Sequence, residues 1–303
     1  MFDEVLVGLD FGPGGQEALA LARALVAPGG RLTLAHVAAG DPSRFRGQSA
    51  QFVTQERSRI LDRLDRERRR VSAVVDEARD GDGRRLRVTT ACAFAASVGR
   101  GLHFIAQDAG ADLVVVGASR RGAVGRILFG DDTKAVLRGS PCPVAVAPAG
   151  YAGAEPLRLI GVGYDGSAES RRAVEAAREL ATDHGAALAG VTVVSAVSGA
   201  GPLPIQEARE AERRAATEAL TELGEIEPHV LWGGHADRLA DFSRRLDLLV
   251  VGSRALAATG PRLHGSTSAQ LVREAECPVL VLVGDDPRRV RAPAVDGNRQ
   301  DLR

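Results

Sequence analysis

A chain of 303 residues is long enough for two domains of about 150 residues, each burying its own core. Its 39 basic side chains balance 39 acidic ones, so no net field favours nucleic acid, an anionic membrane surface or a basic partner. With no charged-then-apolar leader, no apolar run near the ~18 residues a membrane helix needs, and three scattered cysteines that read as buried thiols, the expected location is the cytoplasm.

Glu4 to Leu9 reads as a strand that ends at Asp10 and a glycine-rich turn (Gly12, Gly14, Gly15), followed by a helix from Gln16 to Val26. Arg31 to Val37 is a second strand. Helical spacing then returns at Ile60, Leu61, Leu64, Val71, Val75 and Ala78. The opposite face carries Arg63, Arg66, Arg68, Arg69 and Arg70 interleaved with Asp62, Asp65 and Glu67, the pattern of a solvated face rather than a nucleic-acid patch. Leu86 to Thr90 is a third strand and Val98 to Gln107 a helix. The segment Asp112 to Pro148 follows, with a buried strand ending at Gly117, a helix start near Gly130 and a last apolar strand, Val144 to Ala147.

The second half repeats this order. Strands fall at Leu159 to Tyr164, Leu188 to Val194 and Val230 to Trp232, and helices at Arg171 to Ala181, capped by Ser167, at Gln206 to Leu223 and near Leu239. Leu248 to Val251 ends at Gly252, a helix opens at Gly265-Ser266-Thr267, and Val279 to Val283 closes the unit. Gly117 and Gly252, Gly130 and Gly265, and Cys142 and Cys277 each stand 135 positions apart. Asp10 and Asp165 stand 155 apart, so the first half carries an insertion of about a helical segment. The expected domains are 1–150 and 155–285, joined by a small-residue linker, with a mobile tail over 286–303.

Strands alternating with helices imply an α/β fold of two tandem flavodoxin-like (Rossmann-like) units, each a five-stranded parallel sheet with helices on both faces. Ligands of such sheets bind beyond the carboxyl ends of the strands, at the switch point, where Asp165 and Gly252 would face each other. Alternative chemistries lack their signatures. There is no P-loop, no Gly-x-Ser-x-Gly elbow, and the histidines show no metal-ligand spacing, although His264 stands beside the turn at Gly265.

These residues resemble the universal stress protein family in its tandem form, from about Phe2 to Gly284. Its nucleotide-binding members carry glycine, two residues, glycine, nine residues, then glycine with serine or threonine. The second half keeps this spacing as Gly252, Ser253-Arg254, Ala255, nine residues, then Gly265-Ser266, with alanine for the second glycine. The first half reads Gly117, Ala118-Ser119, Arg120, nine residues, then Gly130-Asp131. The resemblance implies ATP, with magnesium, in the second half. Asp165 and Val193 would lie near ribose and adenine, with Ser167, Gly252, Arg254, Gly265, Ser266 and Thr267 completing the site. Asp10, Val37, Gly117 and Gly130 are the matching positions of a second site, where Asp131 and Asp132 place two negative charges against the phosphates.

The implied role is a stress-response sensor or regulator without substantial catalysis, acting on an unidentified protein partner. A non-nucleotide structural or interaction module stays open beside it, and for Val193 so does a plain core position. The resemblance also implies an internal pseudo-dimer in which Val144 to Ala147 pairs with Val279 to Val283, and further association of whole chains.

Overall fold

The computed structural model describes residues 1–39, 50–77, 85–118, 131–153, 156–195, 205–253 and 267–283. The first half runs β1 (Phe2–Gly8), α1 (Pro13–Leu25), β2 (Val26–Ala39), α2 (Ala50–Glu77), β3 (Arg87–Ala95), α3 (Val98–Ala109), β4 (Leu113–Gly117), α4 (Asp131–Leu137) and β5 (Val144–Ala147). The second runs β6 (Leu159–Gly163), α5 (Ala168–His184), β7 (Ala187–Val194), α6 (Ile205–Thr221), β8 (Glu227–Trp232), α7 (His235–Ser243), β9 (Leu248–Ser253), α8 (Thr267–Glu274) and β10 (Val279–Val283).

All ten strands form one sheet in the order β3-β2-β1-β4-β5-β10-β9-β6-β7-β8. Every neighbouring pair is parallel except β5 and β10, which pair antiparallel with Val146 opposite Val279 and Val144 opposite Val281. The last strands of the two halves therefore meet as expected, and each half presents the same strand order outward from the seam. The seam is packed on both faces. Val144, Val146, Val279 and Val281 enter one core, while Ala145, Ala147, Leu280 and Leu282 enter the other. Alternation along two short strands carries both hydrophobic layers from one half into the other.

Asp112 and Asp247, the residues immediately before β4 and β9, explain how the central strands are aligned. Asp112 accepts from the backbone N–H groups of Asp3 and Glu4 at 2.8 and 3.0 Å. Asp247 accepts from those of Arg158 and Leu159 at 2.7 and 2.9 Å. Each carboxylate ties the start of one central strand to the start of its neighbour, satisfying donors that no ladder reaches. Burial raises the Asp112 carboxyl above its usual range, against the two N–H groups that pull it down.

The insertion lies between β2 and β3. α2 has 28 residues where α6 has 17, and the two helices begin almost equally far beyond Val37 and Val193, so the extra turns extend the carboxyl end of α2. Ile60, Leu64 and Val71 are its buried stripe, and Arg63, Arg66, Arg69 and Arg70 are exposed. β2 and β3 exceed their sequence-based bounds by the most. β2 begins at Val26, directly after α1, and β3 continues to Ala95 because it follows β2 in unbroken parallel register from Arg31–Arg87 to Ala39–Ala95. The expected tail, 286–303, lies outside the described residues.

Candidate functional site

The strand order reverses at β6, which pairs with β7 on one side and β9 on the other. Their carboxyl ends diverge around a crevice of about 300 Å³. Val191 and Val193 of β7, Leu239 of α7 and Val251 of β9 form its aliphatic wall, and Asp165, Ser167, Ser253 and Thr267 bring polar groups to it. Of the residues expected here, Asp165, Ser167, Val193, Gly252 and Thr267 are thus brought together. Arg254, Gly265 and Ser266 lie outside the described residues, as does His264.

Local chemistry fixes the turn after β6. Asp165 Oδ1 accepts from the Ser167 N–H at 3.0 Å, and Gly166 between them takes φ 78°, a left-handed conformation that glycine adopts without a steric cost. Ser167 caps α5, its Oγ accepting from the Ser170 N–H at 3.1 Å. Its hydroxyl oxygen therefore holds the helix end in place beside the crevice. Tyr164 accepts at its carbonyl from Thr192 Oγ1 at 2.9 Å, which fixes the strand end just before Asp165.

Gly252 has a packing reason as well as a place in the lining. A Cβ on it would stand 2.5 Å from the carbonyl carbon and oxygen of Glu169, so only glycine lets the first turn of α5 reach the end of β9. A Cβ on Gly117 would collide in the same way with the backbone of Gly14 in α1. The repeated glycine thus sets how closely a helix start approaches a central strand.

The first half has its own crevice, of about 280 Å³, at the carboxyl ends of β1 and β4. Asp10, Val37 and Gly117 line it together with Thr133; Gly130 lies outside the described residues. Asp10 Oδ1 accepts from the N–H groups of Gly12 and Gly15 at 2.8 and 2.9 Å, so it ties down the glycine turn and the start of α1. Asp131 and Asp132 open α4. Because the β5–β10 seam is antiparallel, the carboxyl ends of the two halves point in opposite directions, and the two crevices open on opposite edges of the sheet.

Three contributors escape a reading of motifs. Ser253 and Ser268 are buried in the second crevice, and His235 lines it from the start of α7. Ser268 stands 135 positions after Thr133, itself buried, so the repeat offset alone would have flagged a hydroxyl kept in both halves. His235 carries no such signal. Among the described residues, no group of three or more His, Cys, Asp or Glu side chains could hold a metal ion. No helix among them is long and apolar enough to cross a membrane. Burial pushes the Cys142 and Cys277 thiols up to about 12, which keeps both protonated and unreactive at neutral pH.

The sequence model of the universal stress protein family matches residues 1–148 and 156–282. The chain belongs to the universal stress protein family. The two matched segments make it a tandem form, with the break between them falling in the stretch that joins β5 to β6. A universal stress protein of Thermus aquaticus is 36% identical over 135 residues, 42% of this chain and 98% of its own length. One of Mycolicibacterium smegmatis is 35% identical over 140 residues, 41% of this chain and 48% of its own length. The crystal structure of a universal stress protein from Archaeoglobus fulgidus aligns with a TM-score of 0.66 at 19% identity, covering 93% of this chain and 96% of that one. That likeness is one of fold, and it extends over both halves.

Proposed function

We propose that the second crevice binds an adenine nucleotide, ATP with its magnesium ion, and that this universal stress protein acts in the cytoplasm as a stress-response sensor or regulator, by binding rather than by turnover. The observation that carries this reading is the convergence at one switch point of Asp165, the aliphatic wall of Val191 and Val193, and the first residue of α8. The wall suits a flat apolar base, the carboxylate suits ribose hydroxyls, and the N–H groups around Gly265, Ser266 and Thr267 suit phosphate oxygens. Magnesium would travel with the phosphates.

The first crevice is the weaker site in this reading, because Asp131 and Asp132 stand where Ser266 and Thr267 stand in the second half. A second reading, a pseudo-dimeric scaffold for protein partners that binds no nucleotide, draws on the continuous sheet and the shared cores of the β5–β10 seam. Mass spectrometry of the denatured purified protein, followed by calorimetry with ATP, separates the two. Co-purifying or titratable ATP at one site per chain supports the first. Its absence from both measurements leaves the scaffold. Sedimentation decides whether whole chains associate further.

A further inference from the structure

A cavity of about 450 Å³ lies apart from both crevices, between α1, the carboxyl-terminal part of α2 and the segment joining the two halves. Leu19 and Ala20 of α1, Val71 of α2 and Tyr151 of the joining segment give it an apolar lining. The joining segment is held there by the Gly150 N–H, which donates to Glu17 Oε1 at 2.5 Å.

Two carboxylates, Glu17 and Glu67, and two guanidiniums, Arg23 and Arg70, stand in or at the rim of it. Glu17 is buried and engaged by Gly150. At the rim, the Glu67 carboxylate accepts from Gln16 Nε2 at 3.5 Å and stands 3.9 Å from Arg70 Nη1. Arg23 is half-buried in the lining and has no ion pair among the described residues. One guanidinium therefore borders the cavity without an ion-pair partner among the described residues.

Two of its walls are particular to the first half among the described residues. The residue matching Ala20 at the 155-residue offset is Glu175, which is exposed on α5. The α2 wall comes from the added turns, because a helix of the length of α6 begun at Ala50 would stop before Arg70 and Val71. The insertion in the first half thus builds one side of the cavity and the joining segment builds another.

We propose that this cavity binds an amphiphilic monocarboxylate, with an alkyl or aryl body against Leu19, Ala20, Val71 and Tyr151 and its carboxylate on the Arg23 guanidinium. Its volume is within the range of small-molecule sites, roughly 300–1,000 Å³. An arginine in an apolar surround suits a planar carboxylate, since it offers two parallel donors and is more weakly hydrated than lysine. Arg23 also lies in the last turn of α1, where a positive charge is favourable without any ligand. A purely structural role would leave ligand binding insensitive to its loss.

The test is calorimetric titration of the full chain with octanoate and with 1-octanol, in the presence and absence of saturating ATP. The expected result is one octanoate per chain, unaffected by ATP and bound more tightly than the alcohol. Arg23→Gln should weaken octanoate at least about ten-fold, the loss of one charge-assisted contact, and leave the alcohol unchanged. Ala20→Glu, which installs the residue of the second half at a helix-compatible position, should abolish binding of both while circular dichroism stays unchanged. Failure of the unmodified chain to bind octanoate overturns the proposal. So does displacement by ATP, which would put octanoate in a crevice, or equal affinity in Arg23→Gln.

Discussion

Phe11 occupies, at φ 58°, the backbone position that Gly166 occupies at φ 78° in the second half. Each follows an aspartate two residues beyond a first strand, but only one pays no steric cost there. A left-handed non-glycine residue costs roughly 1–2 kcal/mol. In the first half that cost is met by stacking of the Phe11 ring on His36, 4.6 Å between centroids at 29°, with the Arg63 guanidinium 4.1 Å from the Phe11 centroid. His36 is held in turn by its Nδ1–H, which donates to the Leu9 carbonyl at 2.6 Å, the same bond that Thr192 makes to Tyr164.

Opposite substitutions at this pair should therefore have unequal effects. Gly166→Ala has open space for its methyl but not a favourable conformation, and is expected to cost about 1 kcal/mol. Phe11→Gly exchanges strain for lost stacking and should stay within about 1 kcal/mol of the unmodified protein. Urea unfolding measures both, and a larger loss for Phe11→Gly than for Gly166→Ala would show that the stacking outweighs the strain.

Gly252→Ala and Ser167→Ala should separate packing from capping at the second crevice. The alanine at 252 would drive the first turn of α5 away from β9, and is expected to cost more than about 2 kcal/mol and to weaken ATP by displacing Asp165. Ser167→Ala removes a cap, about 1 kcal/mol, with little change in ATP affinity. Strong loss of ATP binding in Ser167→Ala alone would give that hydroxyl a direct ligand role.

Ser266→Asp should weaken ATP binding by at least about ten-fold, since it brings to the second half the charge present at Asp131 and removes a hydroxyl donor. Asp131→Ser should leave the total ATP bound nearly unchanged. Calorimetry on both variants checks this, and unaltered binding in Ser266→Asp would remove the phosphate turn from the assignment.

Alkaline pH should destabilise the fold through its two buried thiols. Their folded values, about 12, stand above the ordinary 9.0, so their contribution is fully present below about pH 9 and is lost as pH rises toward 12. Above pH 9 the unfolded chain has given up these protons and the folded one has not. The loss at pH 10 is roughly 1 kcal/mol per thiol. Comparing urea midpoints at pH 8 and 10, the double variant Cys142→Ala/Cys277→Ala should lose less than the unmodified protein; an identical drop would refute the shifts.

The shared cores predict one unfolding transition for both halves. Trp232, the single tryptophan, reports from β8 in the second half, whereas far-ultraviolet circular dichroism reports from the whole chain. The two probes should give coincident urea transitions. A separate midpoint for Trp232 fluorescence would mean that the halves melt independently across the seam.

The strands were legible wherever apolar runs were short and bounded, as at Leu248–Val251 and Val279–Val283, and the repeat offset exposed the tandem design before any contact was known. Strand ends were less legible. Nothing in Ala91 to Ala95 announces a strand, because its pairing is imposed by β2 across the sheet. In the site, Asp165 and Gly252 stood out through spacing. The cap at Ser167 was legible from its place before the helix, but the packing role of Gly252 was not, because a glycine that admits a helix looks the same in sequence as one that approaches a ligand. Phe11 was invisible as a left-handed residue, since the strain and its compensation depend on His36 and Arg63, which are distant along the chain.

The peptide that joins β5 to β6 changes what the seam means for the molecule. Two separate copies meeting through their last strands would assemble only at sufficient concentration, and any substitution would appear on both sides at once. Joined in one chain, the partners are always present at a high effective concentration, so pairing of the seam does not depend on how much protein a cell makes. Each side is also free to change alone. Phe11 opposite Gly166, Asp131 opposite Ser266 and Ala20 opposite Glu175 are differences that a symmetric pair of identical chains could not hold.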